Sequence, residues 1–341
     1  MMKAKARGSS SPALSAVVCT LNRADLIGQM LESLCKQTLD RDAFEVVVVD
    51  DGSKDPTREV VHGFEGRLPL RYSFQRNAGL ASARNHGVFL SRGRLLLFLD
   101  DDDVADPALL EAHVRAHLRH PKESMGILGY TRLDPSIAAD PLMHFATEVG
   151  CFLFSYPRLK PGVPLDFGHF WGGRSSCKRS FLIDHGVFNP VFRFGCEDIE
   201  LAYRLSRHDF KVVYEPEAVL TMVRRVDFAG FCRRLWRQGQ SNFIFSRLHD
   251  APEVQRWTEV KEAEEEWARF GPAYELLLRS AGQLDRLVRM RAEAGMAVPP
   301  EETALLHRAY WAAFRAAKFK GIVDKARERT GAPEPGGPRA A

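Results

Sequence analysis

The chain has 341 residues, a length that fits two domains better than one or three. Hydrophobic residues make up 45% and charged residues 27%, a globular composition that excludes a collagen-like, coiled-coil or disordered chain. The 48 basic and 44 acidic residues leave a net charge of +4, which is too balanced for nucleic-acid binding through bulk charge. The six cysteines are widely spaced, which excludes a disulfide scaffold or a zinc ribbon and favours reduced thiols in a cytoplasm.

The N-terminal segment 1–12 is basic, Ser-rich and unpatterned, and we predict that it is disordered. The apolar run at 13–21 is short and is followed by Asn-Arg, not by the small-residue cleavage site of a signal peptide. No stretch reaches the roughly 18–20 apolar residues that a membrane span needs. We therefore expect a cytoplasmic protein, at most peripheral on the inner face of the membrane.

From residue 14 onward, strand and helix patterns alternate. Apolar runs predict strands at 14–21, 44–49, 70–74 and 95–99. Helical spacing predicts helices at 26–35, 56–62 and 80–90, and a fourth that Asp106 caps, that has Pro107 in its first turn and that runs to about 120. This alternation predicts an α/β fold around a doubly wound, mostly parallel, Rossmann-like sheet.

The rest of the chain shows a less regular pattern. Short strands and two helices, the second at 198–207, are predicted between about 125 and 226. The predicted domain ends at 225, and an Arg-rich, aromatic helical region follows at 226–329. Residues 330–341 are rich in Pro, Gly and Ala and are predicted to be a disordered tail.

Two acidic clusters follow predicted strands: Asp50-Asp51, and the run from Asp100 to Asp103. Ligands of parallel α/β sheets bind beyond the carboxyl ends of the strands, and hard cations prefer carboxylate oxygens. The pattern thus indicates a Mg²⁺- or Mn²⁺-bridged diphosphate, and the alternative is a solvated acidic turn ahead of a helix. A calcium loop starting at Asp100 is excluded, because it would need an oxygen ligand at Val104 and a glycine at Ala105.

Two further stretches combine charge with a helix start. Arg84 falls on the first turns of a small-residue helix, where its guanidinium could reach a phosphate or pair with an aspartate. Glu197 and Asp198 follow a glycine turn at the start of another helix. A carboxylate fixed at a helix end is a good general base, although acidic residues also serve as plain N-caps there.

Taken in order, these motifs resemble the family 2 glycosyltransferases of the GT-A fold, which use nucleotide-diphospho-sugars. The resemblance covers roughly residues 14–225 and rests on six segments in sequence: Cys19–Arg23, Val49–Ser53, Asn77–Gly87, Phe98–Asp103, Trp171–Ser176 and Gly195–Leu201. It implies a nucleotide-sugar-binding half at 13–105 and an acceptor half at 106–225.

The resemblance also assigns roles by position. Asp198 matches the catalytic base, Glu197 contacts the acceptor or donor sugar, and Asp102 is the direct metal ligand, with Mg²⁺ or Mn²⁺ as the cofactor. The residues expected to bind the nucleotide-sugar are Thr20, Asn22, Arg23, Asp51, Asn77, Arg84, Asp100, Asp101, Gly173 and Ser175. The implied reaction is a single inverting displacement onto an acceptor hydroxyl of a glycan, a lipid-linked glycan or a small molecule.

The sequence departs from the family at one place of consequence. Met222 stands where many relatives have a histidine that helps to bind the metal or the diphosphate, and methionine is a poor ligand for a hard cation. Arg224 and Arg225 are possible substitutes that would hold the diphosphate by charge.

Two other functions are compatible with the same fold class. A sugar-1-phosphate nucleotidyltransferase normally has a Gly-rich phosphate loop after the first strand, and residues 19–25 contain no glycine. A non-catalytic nucleotide-sugar-binding protein would not need an acid pair at 197–198 opposite the metal.

Basic and aromatic residues interleave in the C-terminal third, at 228–237 and at 308–320. Such helices can lie on an anionic bilayer, where a lipid-linked acceptor would be presented. The favoured alternative is that the aromatic side chains pack on the catalytic domain while the basic ones are solvated. No nucleic-acid partner is expected, and the oligomeric state is left open.

Overall fold

The structure is a computed structural model that describes residues 11–330. The predicted disorder of residues 1–10 and 331–341 therefore falls outside the described residues. Within them the chain forms two compact units. The first contains 11–134, 160–193 and 197–223, and the second contains 135–159, 194–196 and 224–330. Residues 135–159, which the sequence placed before the boundary at 225, thus belong to the unit of the C-terminal helices.

The first unit is built on a nine-stranded sheet. Its strands are β1 (Leu14–Thr20), β2 (Phe44–Asp50), β3 (Leu70–Phe74), β4 (Leu95–Asp100), β5 (Asp103–Ala105), β6 (Met125–Leu133), β7 (Pro164–Leu165), β8 (Ser175–Lys178) and β9 (Lys211–Met222). The strand order is β3-β2-β1-β4-β8-β6-β9-β5, and β7 pairs with β9. The first four strands run parallel, as do β6 and β9, which confirms the predicted mostly parallel α/β sheet.

Helices cover this sheet because its central strands are apolar on both faces; every residue of β2, for example, is buried. The α-helices of the first unit are α1 (Ala24–Leu34), α2 (Thr57–His62), α3 (Leu80–Leu90), α4 (Leu109–Arg119), α7 (Arg179–His185) and α8 (Glu197–Ser206). The unit also has 3₁₀ turns at Arg41–Ala43 and Phe167–His169. The elements predicted at 70–74 and 80–90 have the predicted bounds.

Two local predictions differ from the structure. The acidic run does not end in a plain turn, because Asp103 opens β5, which pairs antiparallel with the end of β9. The predicted N-cap at Asp106 is wrong: α4 begins at Leu109, with Ala108 at its N-cap. The Asp106 carboxylate instead accepts the Ala108 N–H at 3.0 Å, which stabilises the turn that precedes the helix.

The second unit is helical. Its helices are α5 (Pro135–Ala138), α6 (Pro141–His144), α9 (Phe228–Leu248), α10 (Pro252–Thr258), α11 (Val260–Phe270), α12 (Tyr274–Glu293) and α13 (Pro300–Thr330), with a π turn at Phe145–Val149 and 3₁₀ turns at Tyr156–Arg158 and Gly271–Ala273. Helices α9 and α13 cross closely at two glycines. A Cβ on Gly239 would overlap the Lys318 carbonyl oxygen, and one on Gly321 would overlap the Trp236 carbonyl oxygen.

Four aromatic residues of the C-terminal third lie in the core of this second unit, whereas Trp311 is 47% exposed. Phe231, Tyr310, Phe314 and Phe319 are each fully buried, and the rings of Phe231 and Phe314 lie 4.6 Å apart. These side chains are therefore not available as an exposed membrane-binding face. Within residues 11–330, no helix has both the length and the apolar stretch that crossing a bilayer requires. All six cysteines are free thiols.

Candidate active site

The carboxyl ends of three neighbouring strands bring the first half of the predicted site together. In the register of the sheet, Thr20 of β1 lies beside Asp50 of β2, and Cys19 lies beside Asp100 of β4. The loops after β1, β2 and β4 therefore meet at one edge, as expected for parallel strands. Thr20, the last residue of β1, is almost fully buried there.

The loop after β1 is tied to the two neighbouring loops by its own side chains. The Asn22 amide oxygen accepts the Lys54 N–H at 2.8 Å, and the Asn22 N–H donates to the Ser53 hydroxyl at 2.8 Å. On the other side, one guanidinium nitrogen of Arg23 lies 2.7 Å from Asp101 and 2.9 Å from Asp102. Arg23 thus neutralises part of the acidic run that the sequence singled out.

Asp51 has a structural role in this conformation. One of its oxygens accepts the Ala78 N–H and the Gln75 side-chain amide, at 2.9 and 2.7 Å, and the other accepts the Gly79 N–H at 2.9 Å. The carboxylate is nearly inaccessible. It therefore holds the loop of the predicted Asn77, whose own side chain is exposed.

Asp100 is held between two arginines. Its Oδ2 lies 2.7 Å from an Arg174 nitrogen, and its Oδ1 lies 3.5 Å from Arg84. Both arginines are buried, so these ion pairs are screened less by salt than pairs at the surface. A Cβ at Gly173 would overlap the Asp100 carboxylate, which explains why the loop at this point needs a glycine.

The acid pair lies on the first turn of α8. Arg84 donates to Glu197 at 2.5 Å, and the Gly172 N–H donates to Asp198 Oδ2 at 2.7 Å. The same Asp198 side chain accepts the Ile199 N–H at 2.8 Å. Arg84 therefore bridges the acidic run after β4 and the acid pair of α8, two segments that are about a hundred residues apart in sequence.

Burial raises the pKa values of three carboxyl groups in this site. It raises the pKa of Glu197 to about 7, and repulsion by Asp198 adds to the increase while Arg84 opposes it. Burial likewise raises the pKa of Asp101 to about 6 and that of Asp103 to about 8, with Arg23 and Arg174 respectively acting against it. Clustered carboxyl groups with such shifts are typical of functional sites.

Ser175 and Arg225, which the sequence analysis considered for binding the donor, are placed differently from the other candidate residues. Ser175 is fully buried inside β8, so its hydroxyl is not at the accessible edge of the sheet. Arg225 pairs with Asp140 at 2.6 Å within the second unit. Asp140 is shared with Arg289, so this contact compensates the charge of Arg225 only in part.

Arg174 is the residue that sequence reasoning missed. It lies between Gly173 and Ser175, inside a motif that was recognised, yet it received no role. It contacts Asp100 and also lies 3.5 Å from Asp103. Arg174 directly precedes the buried strand β8. A buried cation requires an acidic partner, and this requirement could have indicated a role for Arg174 from the sequence.

Within residues 11–330, no cluster of three or more His, Cys, Asp or Glu side chains is arranged to hold a metal ion. Mg²⁺ sites at phosphates commonly use only one or two protein carboxylates, and the phosphates and water complete the shell. The hard oxygens of Asp100 and Asp102 fit that chemistry. Met222, the strand partner of Asp103, would add only a soft thioether.

The sheet topology, the acidic run after β4 and the acid pair of α8 define a protein of the GT-A type. Residues 15–180 match the family model described as glycosyl transferase family 2. This match confirms the resemblance to family 2 glycosyltransferases that the motifs indicated.

The chain is similar to two validoxylamine A glucosyltransferases of Streptomyces hygroscopicus. Identity to the protein of subspecies jinggangensis is 34% over 233 residues, covering 62% of this chain and 55% of that protein. For subspecies limoneus the values are 34%, 62% and 51%. The chain thus spans about half the length of these curated relatives.

Two solved structures show the same fold. The mannosyltransferase PcManGT from Pyrobaculum calidifontis, in complex with GDP-Man and Mn²⁺, superposes with a TM-score of 0.59 at 20% identity, covering 94% of this chain and 89% of that one. Residues 1–349 of S. aureus TarS give a TM-score of 0.52 at 18% identity, with coverages of 94% and 92%.

Proposed function

We propose that this protein is an inverting glycosyltransferase that moves a sugar from a nucleotide-diphospho-sugar to an acceptor hydroxyl. The observation that carries the proposal is the position of Asp198 at the first turn of α8. Its carboxylate is oriented by the Gly172 N–H, and Arg84 links the adjacent Glu197 to the acidic run after β4. The names of the matched relatives support the same reaction class.

In this proposal Asp198 is the general base. It removes the proton of the acceptor hydroxyl as that oxygen attacks the anomeric carbon, and the bond from the anomeric carbon to the diphosphate breaks. The nucleoside diphosphate leaves, and the configuration at the anomeric carbon inverts. General-base assistance of this kind is typically worth 10²–10⁴-fold in rate.

The donor would lie at the carboxyl edge of β1, β2 and β4. Asn22 and Arg23 fix the loop beside the nucleotide, and Asp51 holds the facing loop in place. Asp102, supported by Asp100, would hold Mg²⁺ or Mn²⁺ together with the diphosphate. Such a cation supplies Lewis-acid stabilisation of the departing diphosphate.

Glu197 has a separate role from Asp198. We assign to Glu197 a hydrogen bond with a sugar hydroxyl, because its carboxylate is buried and is already paired with Arg84. The relatives' name points to a glucosyl donor and to a small-molecule acceptor, so we propose that acceptor class ahead of a polysaccharide.

The first experiment screens UDP- and GDP-linked sugars for thermal stabilisation of the protein with Mn²⁺, followed by a nucleoside diphosphate release assay. Asp198→Asn should lose at least a hundredfold in turnover while it keeps donor binding, because only the proton acceptor is removed. Asp184→Asn, at an exposed position of α7, is the matched control. Normal turnover by Asp198→Asn would refute the assignment of the base.

The second experiment removes the metal carboxylate. Asp102→Ala should abolish the dependence of donor binding on Mn²⁺ in the same thermal assay, since Asp102 is the proposed protein ligand. A donor affinity that is unchanged with and without Mn²⁺ would contradict the metal assignment and would leave the role of Asp198 to be judged separately.

A further inference from the structure

A groove of about 530 Å³ lies between the last turns of α9 and α13 in the second unit. The two helices touch at Gly239 and Gly321 and continue past that contact for two turns or more, to Leu248 and Thr330. Helices that cross at an angle separate on either side of the crossing. The volume falls within the range of 300–1,000 Å³ that is usual for small-molecule sites.

One wall of the groove is apolar. Phe243, Ile244 and Leu248 line it from α9, and the Leu248 side chain is 45% exposed. Ile244 and Leu248 are four residues apart and therefore lie on the same face of α9. An exposed leucine beside a half-buried phenylalanine and isoleucine provides a surface that an alkyl chain can cover.

The rim of the groove is basic. Arg247, Lys325 and Arg329 contribute three positive charges, and Glu328 contributes one negative charge that pairs with Lys325 at 2.7 Å. Within residues 11–330, neither Arg247 nor Arg329 forms an ion pair with a carboxylate. The groove therefore combines an apolar wall with a net positive rim.

We propose that this groove binds a single-chain amphipathic anion, an alkyl phosphate monoester whose tail lies against the apolar wall and whose phosphate lies at the basic rim. Arginine provides the forked donors that recognise phosphate oxygens, and lysine adds a point charge. A neutral amphiphile would leave the positive rim uncompensated, and inorganic phosphate would leave the apolar wall exposed. The inference does not depend on the proposed transferase reaction.

Basic residues at helix C-termini also stabilise the helices themselves, because they interact with the last carbonyl groups. A purely structural role for Arg247 and Arg329 predicts that their replacement lowers the thermal unfolding temperature and leaves ligand binding unaltered. Every variant below is therefore measured for both unfolding and binding.

The test is calorimetric titration of the full chain with dodecyl phosphate below its micelle concentration. We expect saturable binding to the wild type and at least a tenfold weaker affinity for Arg247→Glu/Lys325→Glu. Leu248→Asn should weaken dodecyl phosphate about threefold and leave hexyl phosphate nearly unchanged, since only the longer tail covers that position. The control Arg256→Glu/Arg279→Glu, at exposed positions elsewhere in the unit, should stay within twofold of the wild type.

Four results would overturn the proposal. Dodecyl maltoside binding as tightly as dodecyl phosphate would mean that the charge is irrelevant. Inorganic phosphate binding within tenfold of dodecyl phosphate would identify a plain phosphate site. Equal affinity of the Arg247→Glu/Lys325→Glu variant and the wild type would remove the rim from the site. Binding that appears only after deletion of 331–341 would identify that segment as the occupant.

Discussion

Two buried histidines of α4 should make the first unit sensitive to acid. His113 Nδ1 lies 2.8 Å and His117 Nε2 lies 2.9 Å from the Ser176 hydroxyl of β8. Their other ring nitrogens have no hydrogen-bond partner within the described residues. Burial lowers the pKa of His113 to about 3 and holds that of His117 well below its usual range, where the Lys178 ammonium contributes as well.

The size of the stability loss follows from the difference in proton binding between the unfolded and folded states. A histidine in the unfolded chain has a pKa of about 6.5, so below that pH the unfolded state binds protons that the folded state does not. The stability from each neutral histidine is complete above pH 6.5 and is lost as the pH falls toward the folded pKa. At pH 5 the loss is about 2 kcal/mol for His113, and His117 adds a loss of the same sign. This is a large fraction of the 5–15 kcal/mol that is typical of a folded domain.

The assay is urea unfolding at several pH values between 7.5 and 5.0, for the wild type and for His113→Asn/His117→Gln. The amide side chains can keep the contacts with Ser176 and do not titrate. The raised pKa values of Asp101, Asp103 and Glu197 act with the opposite sign in both proteins, so only the difference between the two curves is used.

The wild type should lose at least about 2 kcal/mol more than the double variant between pH 7.5 and 5.0. The exposed His62→Asn variant should follow the wild-type curve. Parallel curves for the wild type and the double variant, or NMR titration of both imidazoles near pH 6.5 in the folded protein, would refute the reasoning.

Three further substitutions test the packing and the site. Gly321→Ala should destabilise the second unit by about 1–3 kcal/mol, because the new methyl group overlaps a backbone carbonyl of α9. A thermal unfolding temperature equal to that of the wild type would contradict the close crossing. Gly173→Ala should displace the Asp100 carboxylate and weaken Mn²⁺-dependent donor binding. An unchanged donor affinity, measured by calorimetry, would count against the proposed position of Asp100 in the donor site. Arg84→Lys should reduce nucleoside diphosphate release at least tenfold, since one ammonium cannot reproduce the two contacts of the guanidinium with Asp100 and Glu197. Full activity would show that this bridge is dispensable.

The residues of the candidate active site could be predicted from the sequence, whereas the groove on the second unit could not. The acidic run, Arg84 and the Glu197-Asp198 pair were each recognised from residue type and from their place at a strand or helix end. Their linkage was not, because Arg84 could equally contact a phosphate or an aspartate. The groove depends on a crossing of α9 and α13 that involves residues about 80 positions apart, and local periodicity does not encode such a contact.

Sequence patterns alone predicted the alternating strands and helices, the parallel centre of the sheet and the resemblance to family 2 glycosyltransferases. An almost continuously apolar run such as 44–49 favours a strand that is buried on both faces, and the ordered motifs are specific as a set. The tertiary structure alone decided that Asp103 belongs to a strand, that Arg174 and Arg84 hold Asp100 between them, and that Ser175 is inaccessible. The physical reason is that burial and ion pairing depend on which distant segments meet, whereas strand and helix patterns depend on neighbours in the chain.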